Sequence, residues 1–153
     1  MERKVLHLDL DAFFCAVEEL LNPSLKGKAF AVGGSPKSRG VVSSCSYPAR
    51  LRGVHSAMPM GRALSLCPDL IMVPHRFGVY SETSDKVMDI LKDYTPLFQQ
   101  VSVDEAFLDV SDLPQPIGAI ARDMQQRIDR ELRLPCSIGA ATNKLVAKVA
   151  NDF

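Results

Sequence analysis

Apolar and polar positions alternate from Lys4 to Leu10, the period of a strand with one buried face. Beyond it, Phe14, Val17, Glu18 and Leu21 fall at helical spacing. That helix starts at Asp11 or Ala12 and is stopped by Asn22-Pro23. Phe30–Val32 and Val41–Cys45 read as short strands with hairpin character, joined by the Gly/Ser/Pro loop from Gly33 to Gly40. A short helix spans Tyr47 to Arg52 and closes at Gly53. Another opens on Pro59 as its first residue and runs to Cys67, before Pro68. Leu70–Val73 is a strand, and Val79 to Tyr94 an amphipathic helix ended by Thr95-Pro96. Phe98–Val103 and Ala106–Val110 form hairpin strands with Asp104-Glu105 near the turn. Ile117–Leu132 is a second long helix, Pro135–Ala141 a strand, and Asn143 onward a helix still running at Phe153.

This order, with strand 4–10 added to the pattern after residue 70, predicts an α+β fold: a ferredoxin-like mixed sheet with helices packed on one face. The intervening segment forms a small inserted lobe. A helix that reaches the last residue without a cap or polar tail is the expected mark of a fragment of a longer protein. There are no internal repeats.

At 153 residues, 46% hydrophobic and 24% charged, the chain can bury a solid core and does not resemble a disordered one. No apolar run approaches the roughly 20 residues of a membrane span, and Met1-Glu2-Arg3-Lys4 leads straight into a strand, unlike a secretory signal. Cys15, Cys45, Cys67 and Cys136 lack metal-ligand spacing and read as buried free thiols in a reducing cytoplasm. Net charge is zero but unevenly spread. From Lys26 to Arg76 eight Lys/Arg face the single acid Asp69, and the rest of the chain holds ten Lys/Arg against seventeen acids. A basic lobe beside an acidic body suits a protein that holds both phosphates and metal ions.

The acids concentrate in two places with one grammar, an apolar strand running into carboxylates: Val5-Leu6-His7-Leu8-Asp9-Leu10-Asp11 and Val101-Ser102-Val103-Asp104-Glu105. Carboxylates crowded at strand ends repel one another, and burial disfavours their charge. A hard divalent cation with oxygen ligands resolves both costs. If the two strands are neighbours, Asp9, Asp104 and Glu105 converge in the arrangement of a two-metal phosphoryl or nucleotidyl transfer site.

Five segments in order carry a family likeness: Asp9-Leu10-Asp11-Ala12-Phe13-Phe14, Ser43-Ser44-Cys45-Ser46-Tyr47-Pro48-Ala49-Arg50, Gly53-Val54-His55-Ser56-Ala57-Met58-Pro59, Ser102 to Asp109, and Ser137 to Lys148. Together they resemble the successive motifs of the Y-family translesion DNA polymerases, most closely the DNA polymerase IV type. The resemblance implies a palm at 1–10 and 76–153, a fingers domain at 11–75, and thumb and little-finger domains missing from this chain. It implies a template-directed, error-prone polymerase adding dNTPs to a primer 3′-hydroxyl in DNA damage bypass in the cytoplasm. Two Mg²⁺ per site are implied, replaceable by Mn²⁺. Primer-template DNA is the partner, and a sliding clamp is expected through the missing C-terminal region.

Residue by residue, Asp9, Asp104 and Glu105 match the metal-binding carboxylates, and the Leu10 carbonyl is the expected backbone ligand. Phe14 resembles the steric gate, a ring that leaves no room for a 2′-hydroxyl. Ser44, Tyr47, Arg50 and Lys144 match triphosphate contacts, with Tyr47 and Arg50 three apart on one helical face. Lys148 is either a second contact or solvent-facing. Val41 and Val42 would roof the templating base; Met58 and Met60 shape the template side or simply pack. Asp11 reads as the N-cap of helix 12–21, Asp109 as a structural strand-end residue, and His7, His55 and His75, with no mutual metal spacing, as structural or surface residues; His7 and Pro48 lie away from the inferred chemistry. Pro48 departs from the usual acidic residue and His7 from the usual apolar one.

Three other functions compete. A haloacid-dehalogenase-like phosphatase would use Asp9 as nucleophile but leaves Asp104-Glu105 and Tyr47-x-x-Arg50 unexplained. A palm-fold nucleotide cyclase would need no fingers lobe. A catalytically silent scaffold in mutagenic repair would have lost metal carboxylates, and all three are present.

Overall fold

A computed structural model describes residues 2–152. It is an α+β structure in two compact units, one of residues 1–11 and 81–153 and the other of 12–80.

The first unit is built on a four-stranded sheet of β1 (Val5–Leu10), β5 (Phe98–Ser102), β6 (Glu105–Asp109) and β7 (Cys136–Ala141), ordered β5-β6-β1-β7. All its pairings are antiparallel, which corrects the mixed sheet expected here. The two-residue turn at Val103-Asp104 reverses β5 into β6, and the helical crossovers leave β6 and β7 both running against β1. Alternation divides β1 cleanly. Leu6, Leu8 and Leu10 are buried on one face, aligned with Leu108 and Ala106 of β6. Val5, His7 and Asp9 lie on the other, aligned with Asp109, Phe107 and Glu105. Helix α5 (Ile117–Leu132) contacts β7 and buries Ile120, Met124 and Ile128 at helical spacing. The final helix, α6 (Lys144–Asn151), packs on the His7 face of β1 and β7, so the helices do not share one side of the sheet. Its approach is so close that a Cβ on Gly139 would stand 2.1 Å from the Ala147 carbonyl oxygen. Asn143 caps α6 by accepting from the Val146 N–H at 2.9 Å, and Asp152 closes it. Phe153, where the helix was expected still to run, lies outside the described residues, as does Met1.

The second unit holds a three-stranded sheet of β2 (Phe30–Gly33), β3 (Val42–Cys45) and β4 (Ile71–Val73), ordered β3-β2-β4. Here the pairing is mixed: β2 runs antiparallel to β3 and parallel to β4. Helices α1 (Phe13–Leu21), α2 (Tyr47–Leu51) and α3 (Met60–Leu66) complete it. The core gathers Ala31, Val42, Cys45, Ala49, Val54, Met58, Met60, Ala63, Cys67 and Leu70, so both methionines are packing residues. Helix α4 (Phe77–Tyr94) contains the boundary between the units. It starts two residues earlier than its hydrophobic period suggested. All four cysteines are buried and free, and burial pushes the Cys15 and Cys136 thiols up to about 12.

Asp11 is not the helix cap. Its carboxylate accepts from the Ser137 hydroxyl at 2.8 Å and its N–H donates to the Pro135 carbonyl at 3.1 Å, which extends the β1 edge by one residue. The cap position falls to Ala12, in the left-handed region at φ 43° with no side-chain cap.

Candidate active site

Three carboxylates meet where β1 ends and β6 begins. Asp9 and Glu105 are direct partners in the antiparallel register, a relation that sets backbones about 4.5–5.5 Å apart with side chains on one face. Asp104 is fixed beside them because its carbonyl accepts the Leu10 N–H at 2.9 Å. The Ser102 hydroxyl donates to the Asp104 carboxylate at 2.8 Å.

Their electrostatics diverge. The Asp9 carboxyl is pushed up to about 6, first by burial and then by the charges of Asp104, Asp11 and Glu105. Burial acts on Glu105 too, but hydrogen bonds from His7 and Lys148 hold its carboxyl below the ordinary glutamate range. His7 Nε2 lies 2.7 Å from Glu105 Oε1, and Lys148 Nζ 3.3 Å from the same oxygen. Two carboxyls on one face are thus displaced in opposite directions, a pattern that marks acid–base and metal sites.

Every donor here is an oxygen, the chemistry of a hard divalent cation. Among the described residues, however, no group of three or more His, Cys, Asp or Glu side chains is already poised to hold a metal ion. Glu105 rests on its two nitrogen donors through Oε1 alone.

Other predicted residues sort differently. Lys144 Nζ is 2.5 Å from Gln99 Oε1 and 5.6 Å from the Phe107 ring centroid, beside a cleft of about 310 Å³ lined by Arg3, Phe98, Gln99 and Phe107. Of the two lysines on α6, Lys148 is the one that reaches Glu105. Asp109 accepts from the Ser111 N–H at 3.0 Å and pairs with Arg3, as a strand-end residue. His7 is structural in that its ring is buried, but it does not lie away from the carboxylates: it touches Glu105.

In the second unit, Phe14 stacks on Tyr80 with ring centroids 4.3 Å apart and an interplanar angle of 16°. Phe77 and His75 stand edge-on to it. The Tyr80 hydroxyl donates to Glu18 at 2.6 Å, and Glu18 is clamped by both the Nε and a terminal nitrogen of Arg76. The gate candidate is therefore backed by a fixed ring. Arg50 lies over the exposed Tyr47 ring at 5.3 Å, and its Nε donates to the Cys45 carbonyl at 3.2 Å. Ser44 Oγ is buried, with the Cys15 thiol as its polar neighbour. Val42 is buried in the core, so its side chain is not free to roof a base, whereas Val41, just before β3 and bridged to Pro59, is exposed. The sequence contained a signal for His7, two residues before Asp9 and hence on its face. It offered none for Tyr80 behind Phe14.

The architecture, an α+β chain with two sheets and six α-helices among the described residues, resembles the palm and fingers of Y-family polymerases. The crystal structure of DinB from Sulfolobus solfataricus matches with a TM-score of 0.91 at 34% identity, covering 97% of this chain and 45% of that one. An insertion ternary complex of Dbh DNA polymerase matches with a TM-score of 0.90 at 35% identity, again covering 97% and 45%. The chain belongs to the impB/mucB/samB family, the Y-family of DNA polymerases, whose family model spans residues 8–152. It is 51% identical to the DNA polymerase IV of Pseudomonas paraeruginosa over 154 residues, covering 99% of this chain and 44% of the relative. It is 49% identical to that of Salmonella typhimurium, with the same coverage. The chain thus spans a little under half the length of these curated relatives.

Proposed function

We propose that the full-length protein is a template-directed DNA polymerase of the translesion type, adding dNTPs to a primer 3′-hydroxyl. The supporting observation is the register pair Asp9–Glu105 with Asp104 beside it, where Asp9 carries unrelieved negative charge. In this reading the first unit corresponds to a ferredoxin-like palm, with 1–10 and 76–153 assigned to it, and 11–75 forms the fingers. Asp9, Asp104, Glu105 and the Leu10 carbonyl would hold the divalent cations, Mg²⁺ by donor hardness with Mn²⁺ able to substitute. When bound, the pair lowers the pKa of the attacking hydroxyl and offsets the charge of the leaving pyrophosphate.

The chain's own residues do the rest. Asp9 and Glu105 would orient the ligand field as carboxylates. Lys148 balances charge at Glu105. Phe14, braced by Tyr80, selects the sugar by shape. Ser44, Tyr47 and Arg50 are the candidate triphosphate contacts, Arg50 through its planar fork. Lys144 would join them only by leaving Gln99. Val41 is the roof candidate. Primer-template DNA is the substrate, and a sliding-clamp contact and cytoplasmic location follow from the resemblance. No helix among the described residues is long and apolar enough to cross a membrane.

The test incubates the full-length protein with primed template, Mg²⁺ and single dNTPs. Extension by the template-matched nucleotide is expected, with Asp104→Asn reducing the rate roughly 10³-fold, since metal charge stabilisation is worth several kcal/mol. No extension by the wild type overturns the proposal. In the same assay Phe14→Ala should admit ribonucleotides, and unchanged sugar discrimination removes Phe14 from the gate.

A further inference from the structure

We infer that His7 is a positioning residue for Glu105: it holds the carboxylate by one oxygen and leaves the other for a divalent cation, while Asn151 locks the imidazole in the tautomer that does so. The inference deepens the function proposed above and rests on it.

His7 alternates with Leu6 and Leu8, so it shares the Asp9 face of β1 and lies across from Phe107 and Gly139 in the two flanking strands. Its ring is 2% exposed, with the Phe107 ring centroid 4.9 Å away, and cannot swing into solvent. Nε2 meets Glu105 Oε1 at 2.7 Å, and Nδ1 meets the side-chain amide of Asn151 at 2.9 Å.

The amide fixes the proton. Asn151 Nδ2 also lies 3.1 Å from the Ser137 carbonyl oxygen and 3.2 Å from that of His7. Carbonyl oxygens only accept, so the amide end turned toward them is the NH₂ and not the oxygen. Nδ1 therefore faces a donor and must be a bare acceptor. The ring hydrogen sits on Nε2 and is donated to Glu105. A doubly protonated ring would set N–H against NH₂. His7 thus supplies Glu105 with a directional hydrogen bond through Nε2.

Both donors to Glu105, His7 and Lys148, engage Oε1, and Oε2 has no partner among the described residues. The two donors differ in kind. Lys148 is half exposed on a flexible stem and its contact is longer; His7 is enclosed. The seat of the whole relay is Gly139, where a Cβ would approach the Asn151 backbone nitrogen to 2.6 Å. Only without that Cβ does α6 come close enough to bring Asn151 onto His7. The His7 ring hydrogen goes to a candidate metal ligand. Outer groups of this kind orient the ligands they touch.

The test compares His7→Phe, which keeps a buried ring but no donor, with His7→Gln, which keeps an N–H near the position of Nε2, and with Asn151→Leu, all in the full-length protein. His7→Phe should weaken Mn²⁺ binding, followed by electron paramagnetic resonance titration, and lower the nucleotide-addition rate, each roughly 10- to 100-fold. His7→Gln should recover part of both, and Asn151→Leu should fall between. The ¹⁵N spectrum of the wild-type imidazole should show hydrogen on Nε2 and none on Nδ1. Wild-type Mn²⁺ affinity in His7→Phe, or hydrogen on Nδ1, overturns the inference. If the wild type itself adds no nucleotide, the polymerase proposal falls, and the Mn²⁺ titration alone decides the role of His7. If His7→Phe does not fold, His7→Gln and Asn151→Leu carry the same comparison.

Discussion

Glu18, in the second unit, and Asp9, in the first, are carboxylates set against apolar surroundings, and their neighbours treat them in opposite ways. Glu18 is 1% exposed, yet Arg76 and the Tyr80 hydroxyl overcome the effect of burial and keep its carboxyl below the ordinary range. Asp9 is less buried, but three further carboxylates outweigh the nearby His7, and its carboxyl rises to about 6. One site is satisfied from within the fold. The other is left with a charge that the described residues do not match. Perturbed carboxyls of this kind cluster at ligand sites, so the contrast marks the Asp9 cluster as a candidate site and the Glu18 cluster as a structural ion cluster.

The comparison breaks hardest at Glu18. Glu18→Ala removes the acceptor of Tyr80, leaves a hydroxyl unpaired and opens a cavity behind Phe14. Arg76 is half exposed, so its freed charge stays hydrated and the loss falls toward the low end of that for a broken buried pair. About 3 kcal/mol of stability should be lost, lowering the unfolding midpoint by roughly 6–12 °C, as followed by circular dichroism. Glu18→Gln, which keeps the volume, should lose less. The pH dependence follows from the direction of the shift: a depressed carboxyl stabilises the fold above the ordinary glutamate range, and that support is lost as pH falls through the folded value. A Glu18→Ala variant as stable as the wild type would show that the cluster is ornamental and erase the contrast.

What could be seen in the sequence tracks how local each cause is. The strands and long helices follow from alternation and from the three-to-four-residue spacing of apolar positions, and α5 and β1 lie within a residue of expectation. The pairing of Asp9 with Glu105 was legible only as a condition, that two strands with the same ending be neighbours. The misses are all non-local. Asp11 reads as a cap because a short acidic residue before a helix usually is one, but Ser137, 126 residues away, claims it. Val42 differs from Val41 only in which side of β3 faces the core, and two adjacent valines carry no signal for that choice. His7 has no metal-ligand spacing to another histidine and so reads as structural. Its partner is instead a carboxylate 98 residues on, reached across a strand pair.

Asp9→Asn sharpens the comparison by the smaller and opposite effect. A carboxyl raised from 3.8 to about 6 in the folded chain keeps its proton where the unfolded chain has released it. Unfolding therefore releases a proton between those values, and Asp9 makes the cation-free protein less stable as pH rises from about 4 through about 6, with the penalty constant above. The full shift corresponds to about 3 kcal/mol, and solvent around a half-exposed side chain trims this to about 1–2 kcal/mol. Asn keeps the shape and removes the charge. The variant should accordingly unfold a few degrees above the wild type at pH 7 and match it near pH 4, where both side chains are neutral. Adding Mg²⁺ at pH 7 should stabilise the wild type more than the variant, because the cation relieves a repulsion the variant no longer has. Glu18 and Asp9 would then respond to neutralisation with opposite signs in one chain. Equal unfolding midpoints for wild type and Asp9→Asn at pH 7 would mean that the three carboxylates are already reconciled without a metal.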